Sequence, residues 1–252
     1  MNHVFELPNG KEVEVKEFLY KHVREFFYDK SLSAKADFLD SFIVTENLNV
    51  LEKFITLLKL RERCIKQSIN LKLNKKDKEV SIDYILKSFD EIIDIREVKT
   101  VDNITLVLDY PSEFVVTTDS LFSVIQSIQI DNDKIDIAKV TYEELLAITN
   151  SLPASVLTAI TDFIQEKKEA LSYSILSNQD SLNLNFLNVS PFVFLDSLFN
   201  CIDPFTYREY IFVLSKRMKD ITFLVNSTFV DILDYMELYK RENEDQNEKL
   251  QK

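Results

Sequence analysis

Glycine is almost absent from this chain, which has Gly10 alone among 252 residues. Loops that cradle phosphate groups need several residues that accept positive φ and let the backbone approach the ligand closely. The sequence therefore excludes Walker-type loops and dinucleotide-binding loops. The G-x-S-x-G nucleophile elbow of many hydrolases is excluded for the same reason.

Histidine and cysteine are also scarce, with His3, His22, Cys64 and Cys201 as the whole set. Both histidines lie near the N-terminus, which argues against a His-dependent triad or a multi-His metal site. The four side chains are not grouped at the spacing of zinc ligands. We therefore predict no metal, no cofactor and no catalytic residue. Each cysteine lies in an apolar helical pattern, so we interpret both as buried, reduced thiols.

Long apolar runs and an excess of positive charge are missing too. No stretch approaches the ~18 consecutive apolar residues of a membrane span, and no basic segment followed by an apolar one resembles a secretory leader. The 42 acidic against 30 basic residues give a net charge of −12, which repels nucleic-acid phosphates and anionic lipid headgroups. We predict no membrane span, no nucleic-acid partner and a cytoplasmic protein.

The acidic stretch 131–136 begins like a calcium-binding loop, in which alternate oxygen ligands converge on one ion. Its third ligand would be Ile135, and Asp136 stands where the loop requires glycine. The closing ligand would be Tyr142 instead of glutamate. Carboxylates that are adjacent elsewhere in the chain diverge by about 100° on a helix and do not form an acid/base couple. We therefore predict that the protein is not an enzyme.

What the sequence does contain is ordinary globular composition, with 46% hydrophobic and 29% charged residues, which excludes disorder and collagen-like repeats. Alternating apolar and polar residues on both sides of Asn9-Gly10 predict an N-terminal β-hairpin, because a primed turn favours that dipeptide. Similar alternation predicts a central short hairpin and a small β-ribbon. The predicted pairs are 4–7 with 11–15, 95–99 with 104–110, and a ribbon within 173–189.

Helical periodicity covers most of the remaining chain. The predicted fold is α+β and predominantly α-helical, with about eight helices around the three β elements. A further strand is predicted at 68–73, followed by a solvated turn at 74–78, and a frayed polar tail from Lys240. Capping boxes at Thr141/Glu144 and Thr206/Glu209 indicate two helix starts. The helical segments are 18–28, 48–65, 81–93, 120–130, 141–150, 153–171, and those that open near Ser190, Thr206 and Ser227.

Domain organisation is weakly marked, because no repeat and no Pro- or Ser-rich linker interrupts the chain. The best division places an N-terminal hairpin and helical region at 1–111 and a C-terminal helical region at 112–252. The alternative is a single domain, which the length also permits.

Aromatic residues are abundant, with 19 Phe and 10 Tyr, and they are densest between residues 192 and 212. Most of them are expected in the core. The rest are candidates for a surface that docks another protein, since exposed aromatic patches mark interfaces. The candidate partner-binding residues are Phe192, Phe194, Phe199, Phe205, Tyr207 and Tyr210.

Several short segments, in this order, resemble a known family. They are residues 5–13, 57–63, 108–112, 140–145, and 151–153 with the helix through 163–164. The sequence is similar to the baseplate hub assembly chaperones of T4-type tailed bacteriophages, which are mostly helical. Some relatives carry a Cys-based motif where this chain has residues 173–180 without cysteine. The resemblance therefore implies no zinc site here, although packing alone can keep the ribbon shape.

The resemblance implies an assembly factor that binds phage baseplate hub proteins transiently in the cytoplasm of the infected host. It supplies no catalytic residues and leaves the oligomeric state open. One alternative is a permanent structural component of the hub, located in the virion tail baseplate. Another is an enzyme with an unrecognised site, which a deep pocket of converging carboxylates with perturbed pKa values would favour.

Overall fold

A computed structural model describes residues 2–28, 31–73, 76–116, 122–131, 133–175, 182–200, 202–218 and 220–250. Within these ranges the chain is mainly helical, with small antiparallel sheets. The predicted α+β class is therefore confirmed.

The N-terminal hairpin is confirmed, with β1 at Asn2–Glu6 and β2 at Glu12–Lys16. Gly10 has a φ of +77° in the turn and donates its N–H to the Leu7 carbonyl at 2.8 Å. A side chain at this φ would be strained, which explains why the one glycine stands here.

A second two-stranded sheet is formed by strands that are adjacent in sequence. β3 spans Ser68–Leu73 and pairs with β4 at Lys76–Ser81. The predicted solvated turn at 74–78 is therefore wrong for residues 76–78, while 74 and 75 lie outside the described residues. β4 is mostly charged, and it becomes a strand because β3 offers backbone partners for its N–H and C=O groups.

A four-stranded sheet has its strands in sequence order, with each pair antiparallel. Its first two strands confirm the central hairpin. The helix predicted at 120–130 is wrong, because residues 125–130 form the third strand. A register shift at Val107/Leu108 disturbs the alternation of buried residues beside that strand. The strands are β5 Glu97–Val101, β6 Ile104–Leu108, β7 Ile125–Ile130 and β8 Asp133–Asp136.

The predicted ribbon is also confirmed, with β9 at Ser172–Ile175 and β10 at Leu182–Asn185. Residues 176–181, which hold most of the segment compared with the Cys-based motif, lie outside the described residues.

Ten α-helices and two short 3₁₀ helices make up the described helical structure. The capping box at Thr141 and Glu144 is confirmed: the hydroxyl of Thr141 accepts the Glu144 N–H, and the Glu144 carboxylate accepts the Thr141 N–H at 2.7 Å. The helices are α1 Tyr20–Phe27, α2 Leu32–Asp40, α3 Val50–Cys64, α4 Ile82–Leu86, α5 Tyr142–Ser151, α6 Ala154–Glu166, α7 Ser190–Phe199, α8 Pro204–Met218, α9 Ile221–Val225 and α10 Phe229–Leu250, with 3₁₀ helices at Lys87–Phe89 and Ile137–Lys139.

Three helical predictions differ from the structure in length, and the helix predicted at 153–171 ends as α6 at Glu166. The helix predicted at 81–93 ends as α4 at Leu86 and tightens into the 3₁₀ helix that buries Phe89. The polar tail predicted from Lys240 is helical as far as Leu250. Its Glu, Lys, Arg and Gln residues are good helix formers, and an ion pair between Arg241 and Glu237, one turn apart, adds support.

The core is built around α3, of which twelve of fifteen residues are buried. Phe54 contacts the rings of Phe89, Phe186 and Phe194 at centroid distances of 5.5, 5.4 and 6.2 Å. Buried Arg61 donates from Nε to the Leu198 carbonyl at 3.1 Å. These contacts join α3 to α7 and to the ribbon.

Buried residues form one cluster that runs from Leu7 to Ile232. The cluster is continuous across the proposed division at residue 111, and Val50 donates its N–H to the Pro111 carbonyl there at 2.7 Å. The two-region organisation stays a prediction. Cys64 is a buried free thiol whose pKa is raised by burial to about 11, whereas Cys201 lies outside the described residues.

α1 begins with an unusual cap made by a histidine. Leu19 donates its N–H to His22 Nδ1 at 2.9 Å, which requires that nitrogen to be unprotonated. The His22 ring meets the Phe18 and Phe42 rings edge-on at 5.6 and 4.9 Å. Burial, with a smaller contribution from Lys21, lowers the His22 pKa to about 4. His22 is therefore neutral near pH 7.

Candidate interaction surface

α8 carries two strongly exposed phenylalanines, one of which is the most exposed large apolar side chain of the described residues. Phe205 is 78% exposed and Phe212 is 62% exposed. They are seven residues apart, so they lie almost on one line along the helix, about 10 Å apart. Charged Arg208, Glu209 and Lys216 stand around them and are themselves exposed. We call this set of five side chains the α8 face.

The opposite side of α8 fixes the helix to the core. Tyr207 stacks on Tyr20 with ring centroids 4.4 Å apart, and Tyr20 stacks in turn on Phe229 at 5.6 Å. The Tyr20 hydroxyl donates to the Tyr207 carbonyl at 3.3 Å. Leu214 is buried two turns further along. The α8 face is thus held out on a helix whose other side is anchored.

The start of α8 differs from the prediction. The N–H groups of Phe205 and Thr206 donate to Asp203 Oδ1 at 2.9 and 3.1 Å. The Thr206 hydroxyl donates to Oδ2 at 2.6 Å, and these bonds hold the pKa of Asp203 below its ordinary value. The capping box predicted at Thr206 and Glu209 is wrong, because Asp203 caps the helix and Pro204 is its first residue.

Neighbouring elements add smaller apolar areas. Ile221 and Phe223 on α9 and Leu238 on α10 are each about half-exposed. Lys216 Nζ lies 4.2 Å from the centre of the Phe212 ring, a cation–π contact at the rim of the face. A charged group therefore lies beside one of the two exposed phenylalanines.

The six candidate partner-binding residues do not form one surface. Phe192 packs against Phe114, Phe194 against Phe54, and Phe199 against Phe18, and all three are buried. The reason is that α7 directs most of its apolar side chains into the core and leaves a narrow strip with Val193 and Ser197 exposed. These three side chains belong to the core.

Of the other three candidates, Tyr207 is buried in its stack with Tyr20 and Tyr210 is half-buried against the core. Phe205 alone is widely exposed. The predicted set omits Phe212, although its seven-residue spacing from Phe205 and the charged residues around both positions indicate a shared exposed face of one helix. Partner binding by any of these residues stays a prediction.

A separate feature is a groove of about 970 Å³ between the C-terminal half of α3, β3, α4 and α10. Glu62, Asp83 and Asp234 lie along it together with basic residues of α3. Burial, and then the neighbouring Asp83 charge, raise the pKa of Glu62.

Three of the six charged side chains that line this groove make contacts within the chain. Lys59 donates to the Glu6 carbonyl at 2.6 Å, and Lys66 pairs with Glu79 at 3.2 Å. Asp83 pairs with Lys87 at 3.3 Å. Across the described ranges, no group of three or more His, Cys, Asp or Glu side chains is arranged to hold a metal ion. In the same ranges, no helix has the length and apolarity to cross a membrane.

Comparison with known families decides the identity of the chain. Residues 1–178 match the family model described as T4 bacteriophage base plate protein. The chain belongs to this family. Comparisons with curated proteins and with solved structures gave no match.

The match confirms that this member of the T4 baseplate family is a phage protein related to the tail baseplate, with baseplate proteins as its partners. It covers the part of the chain that includes α1 to α6 and ends before α7. The α8 face therefore lies beyond the residues that the family model matches.

Proposed function

We propose that this protein is an assembly factor for the baseplate hub, a chaperone that binds a hub subunit transiently and acts by binding and not by catalysis. The observation that carries the proposal is the α8 face: two exposed phenylalanines on an anchored helix, rimmed by charge. Permanent interfaces are larger and more continuously apolar, whereas transient ones are smaller and more polar. Family membership supports baseplate proteins as the binding partners.

The mechanism follows from competition for one surface. A hub subunit docked on Phe205 and Phe212 is kept from premature contacts while it awaits its own partner. That partner then competes for the same patch of the subunit and releases the chaperone. The net charge of −12 steers the protein toward basic surfaces and limits association with acidic ones. The protein would then act in the cytoplasm of the infected host.

The test is co-purification of a tagged protein from infected cells, with mass spectrometry of assembly intermediates and of finished virions. We expect hub subunits in the intermediates and no tagged protein in virions. Stoichiometric presence in virions would instead make the protein a permanent hub component. Recovery of no tail protein in either sample would refute the hub assignment.

Substitutions locate the contact. The double variant Phe205→Ala/Phe212→Ala is expected to lose the hub subunit, while Leu146→Ala, which removes an exposed apolar side chain from α5, is expected to keep it. Equal binding by both variants would place the contact elsewhere.

A third variant addresses catalysis. Glu62→Gln removes the carboxyl group with a raised pKa from the groove between α3, β3, α4 and α10, and the variant is expected to support normal baseplate assembly. Loss of infectivity with normal hub binding would indicate chemistry in the groove.

A further inference from the structure

The arrangement of charge on the α8 face suggests what covers it in the free protein. Phe205 and Phe212 form a line along α8, and Arg208 and Glu209 lie between them in sequence. Consecutive helical residues point about 100° apart. Arg208 and Glu209 therefore lie on opposite flanks of the phenylalanine line, one basic and one acidic.

Neither flank is neutralised within the described part of the chain. Arg208 donates a hydrogen bond to the Tyr28 hydroxyl at 3.3 Å, and no carboxylate of the described residues forms an ion pair with it. Among the described residues, Glu209 forms no ion pair and no side-chain hydrogen bond. In paired helices, charged residues on the two flanks of an apolar line determine which helix binds and in which orientation.

We infer that the α8 face binds a second copy of this chain, with the two α8 helices side by side and parallel about a two-fold axis. In a parallel two-fold pair the basic flank of one helix meets the acidic flank of the other, so Arg208 and Glu209 pair twice across the seam. In an antiparallel pair like flanks meet, and the same residues repel. The charge pattern therefore selects the parallel pair.

The amount of apolar surface sets the strength of this contact. A phenylalanine side chain covers roughly 150–250 Å², so exposed fractions of 78% and 62% correspond to about 200–350 Å² per copy. With the stems of the charged residues, the total for both copies stays below about 1,200 Å², the lower limit of stable interfaces. Two Lys216 ammonium groups also approach each other at one end. We expect a weak dimer that dissociates on dilution.

Self-association has a consequence for the chaperone role. A second copy and a hub subunit would compete for Phe205 and Phe212, so the dimer would shield these side chains until a hub subunit replaces it. This competition rests on the proposed function. The self-association itself is measured on the purified chain, so either idea can fail without the other.

Sedimentation equilibrium of the purified full chain tests the dimer. We expect a monomer–dimer equilibrium with a dissociation constant in the micromolar range. Phe205→Ala/Phe212→Ala is expected to weaken it at least about tenfold, whereas Leu146→Ala is expected to leave it unchanged. A chain that stays monomeric up to about 200 µM, well above a micromolar constant, would overturn the inference.

Charge reversal tests the pairing of the flanks. Arg208→Glu or Glu209→Arg alone places like charges opposite each other twice in a parallel pair. Each single variant is therefore expected to raise the dissociation constant of the dimer about tenfold, which corresponds to ~1.4 kcal/mol of binding free energy. The double variant Arg208→Glu/Glu209→Arg restores both pairs and is expected to restore the dimer. Single variants that dimerise normally would rule out the pairing.

Cross-linking tests the orientation. In a Cys201→Ser background, oxidation of Phe212→Cys is expected to give a disulfide-linked dimer, because position 212 faces its own counterpart in a parallel pair. An antiparallel pair centred between residues 208 and 209 would cross-link only a mixture of Phe205→Cys and Phe212→Cys chains. That second result would overturn the parallel arrangement.

Discussion

α3 and α8 are both fifteen residues long, yet they have opposite roles in the molecule. α3 buries twelve residues, including Glu52, Lys53 and Arg61, which are all hydrogen-bonded. In α8, whose fifteen residues are all described, the buried residues are Tyr207 and Leu214. α3 therefore stabilises the fold, whereas α8 is held in place by the fold and presents an exposed surface. α3 lies inside the family match and α8 lies beyond it.

A phenylalanine-to-alanine substitution in each helix is expected to give the largest difference in the free energy of unfolding. Phe54→Ala removes a buried ring from α3 and is expected to lower the free energy of unfolding by about 3–5 kcal/mol, because it loses apolar burial and leaves a cavity. Phe212→Ala in α8 is expected to change it by less than about 0.5 kcal/mol. Urea unfolding followed by circular dichroism measures both. Similar losses for the two variants would break the comparison.

Arg61 tests how far the stability of α3 depends on its buried polar contacts. Arg61→Leu leaves the carbonyls of Leu198 and Lys66 without the guanidinium that donates to them at 3.1 and 2.6 Å. We expect a loss of about 1–3 kcal/mol from unsatisfied buried acceptors. Arg208→Leu, which changes an exposed arginine of α8, serves as the matched control and is expected to be nearly neutral in the same unfolding experiment.

The N-terminal caps of the two helices are similar in chemistry and differ in surroundings. Asn49 caps α3 and accepts the Glu52 N–H at 2.9 Å, while Asp203 caps α8. We expect Asn49→Ala to cost about 1 kcal/mol of stability, because the end of α3 lies in the core. Asp203→Ala is expected to cost less and to act mainly on hub binding through a frayed first turn at Phe205. Amide hydrogen exchange would locate each effect.

The smallest expected effect is a pH dependence. The folded-state pKa of His22 is about 4, against an ordinary value of 6.5, so the unfolded chain binds a proton more readily between these values. Its contribution to stability is therefore full above pH 6.5 and is lost as the pH falls toward 4. Partial exposure keeps the effect modest.

Other carboxyl groups titrate in the same window, so a matched variant isolates His22. His22→Gln keeps an acceptor for the Leu19 N–H and removes the titration. Urea unfolding from pH 7 to pH 4 is expected to show a shallower decline for the variant than for the unsubstituted chain. Parallel curves would show that His22 does not contribute.

Local signals were sufficient for the hairpins. The tight turn of the N-terminal hairpin requires a residue that accepts positive φ, and the Asn9-Gly10 dipeptide supplies it. Alternation of apolar and polar residues on both sides sets the register of the two strands. Thr141 and Glu144 likewise specify a helix start through mutual hydrogen bonds. In these places the interactions that decide the structure join residues close in sequence, so the sequence alone predicts them.

The incorrect predictions concern structure that depends on distant partners. Ile125 and Ile128 are spaced as on a helix, and a short apolar run does not distinguish helix from strand. β7 is a strand because β6 and β8 pair with it. On α7 and α8, aromatic density predicted a surface, but the contacts of Phe199 with Phe18 and Phe26 across the fold decide burial. Density of aromatic residues shows where packing is dense and does not show which side faces solvent.

The bond from Arg61 to the Leu198 carbonyl crosses the end of the family match. The segment that the family model matches, residues 1–178, ends before α7, yet the Arg61 guanidinium within it donates to the Leu198 carbonyl of α7. Truncation of the chain after residue 178 would also remove the contacts of the Phe54 ring with the rings of Phe186 and Phe194. The segment that the family model matches is therefore smaller than the unit of folding, and it needs the rest of this chain to complete its core.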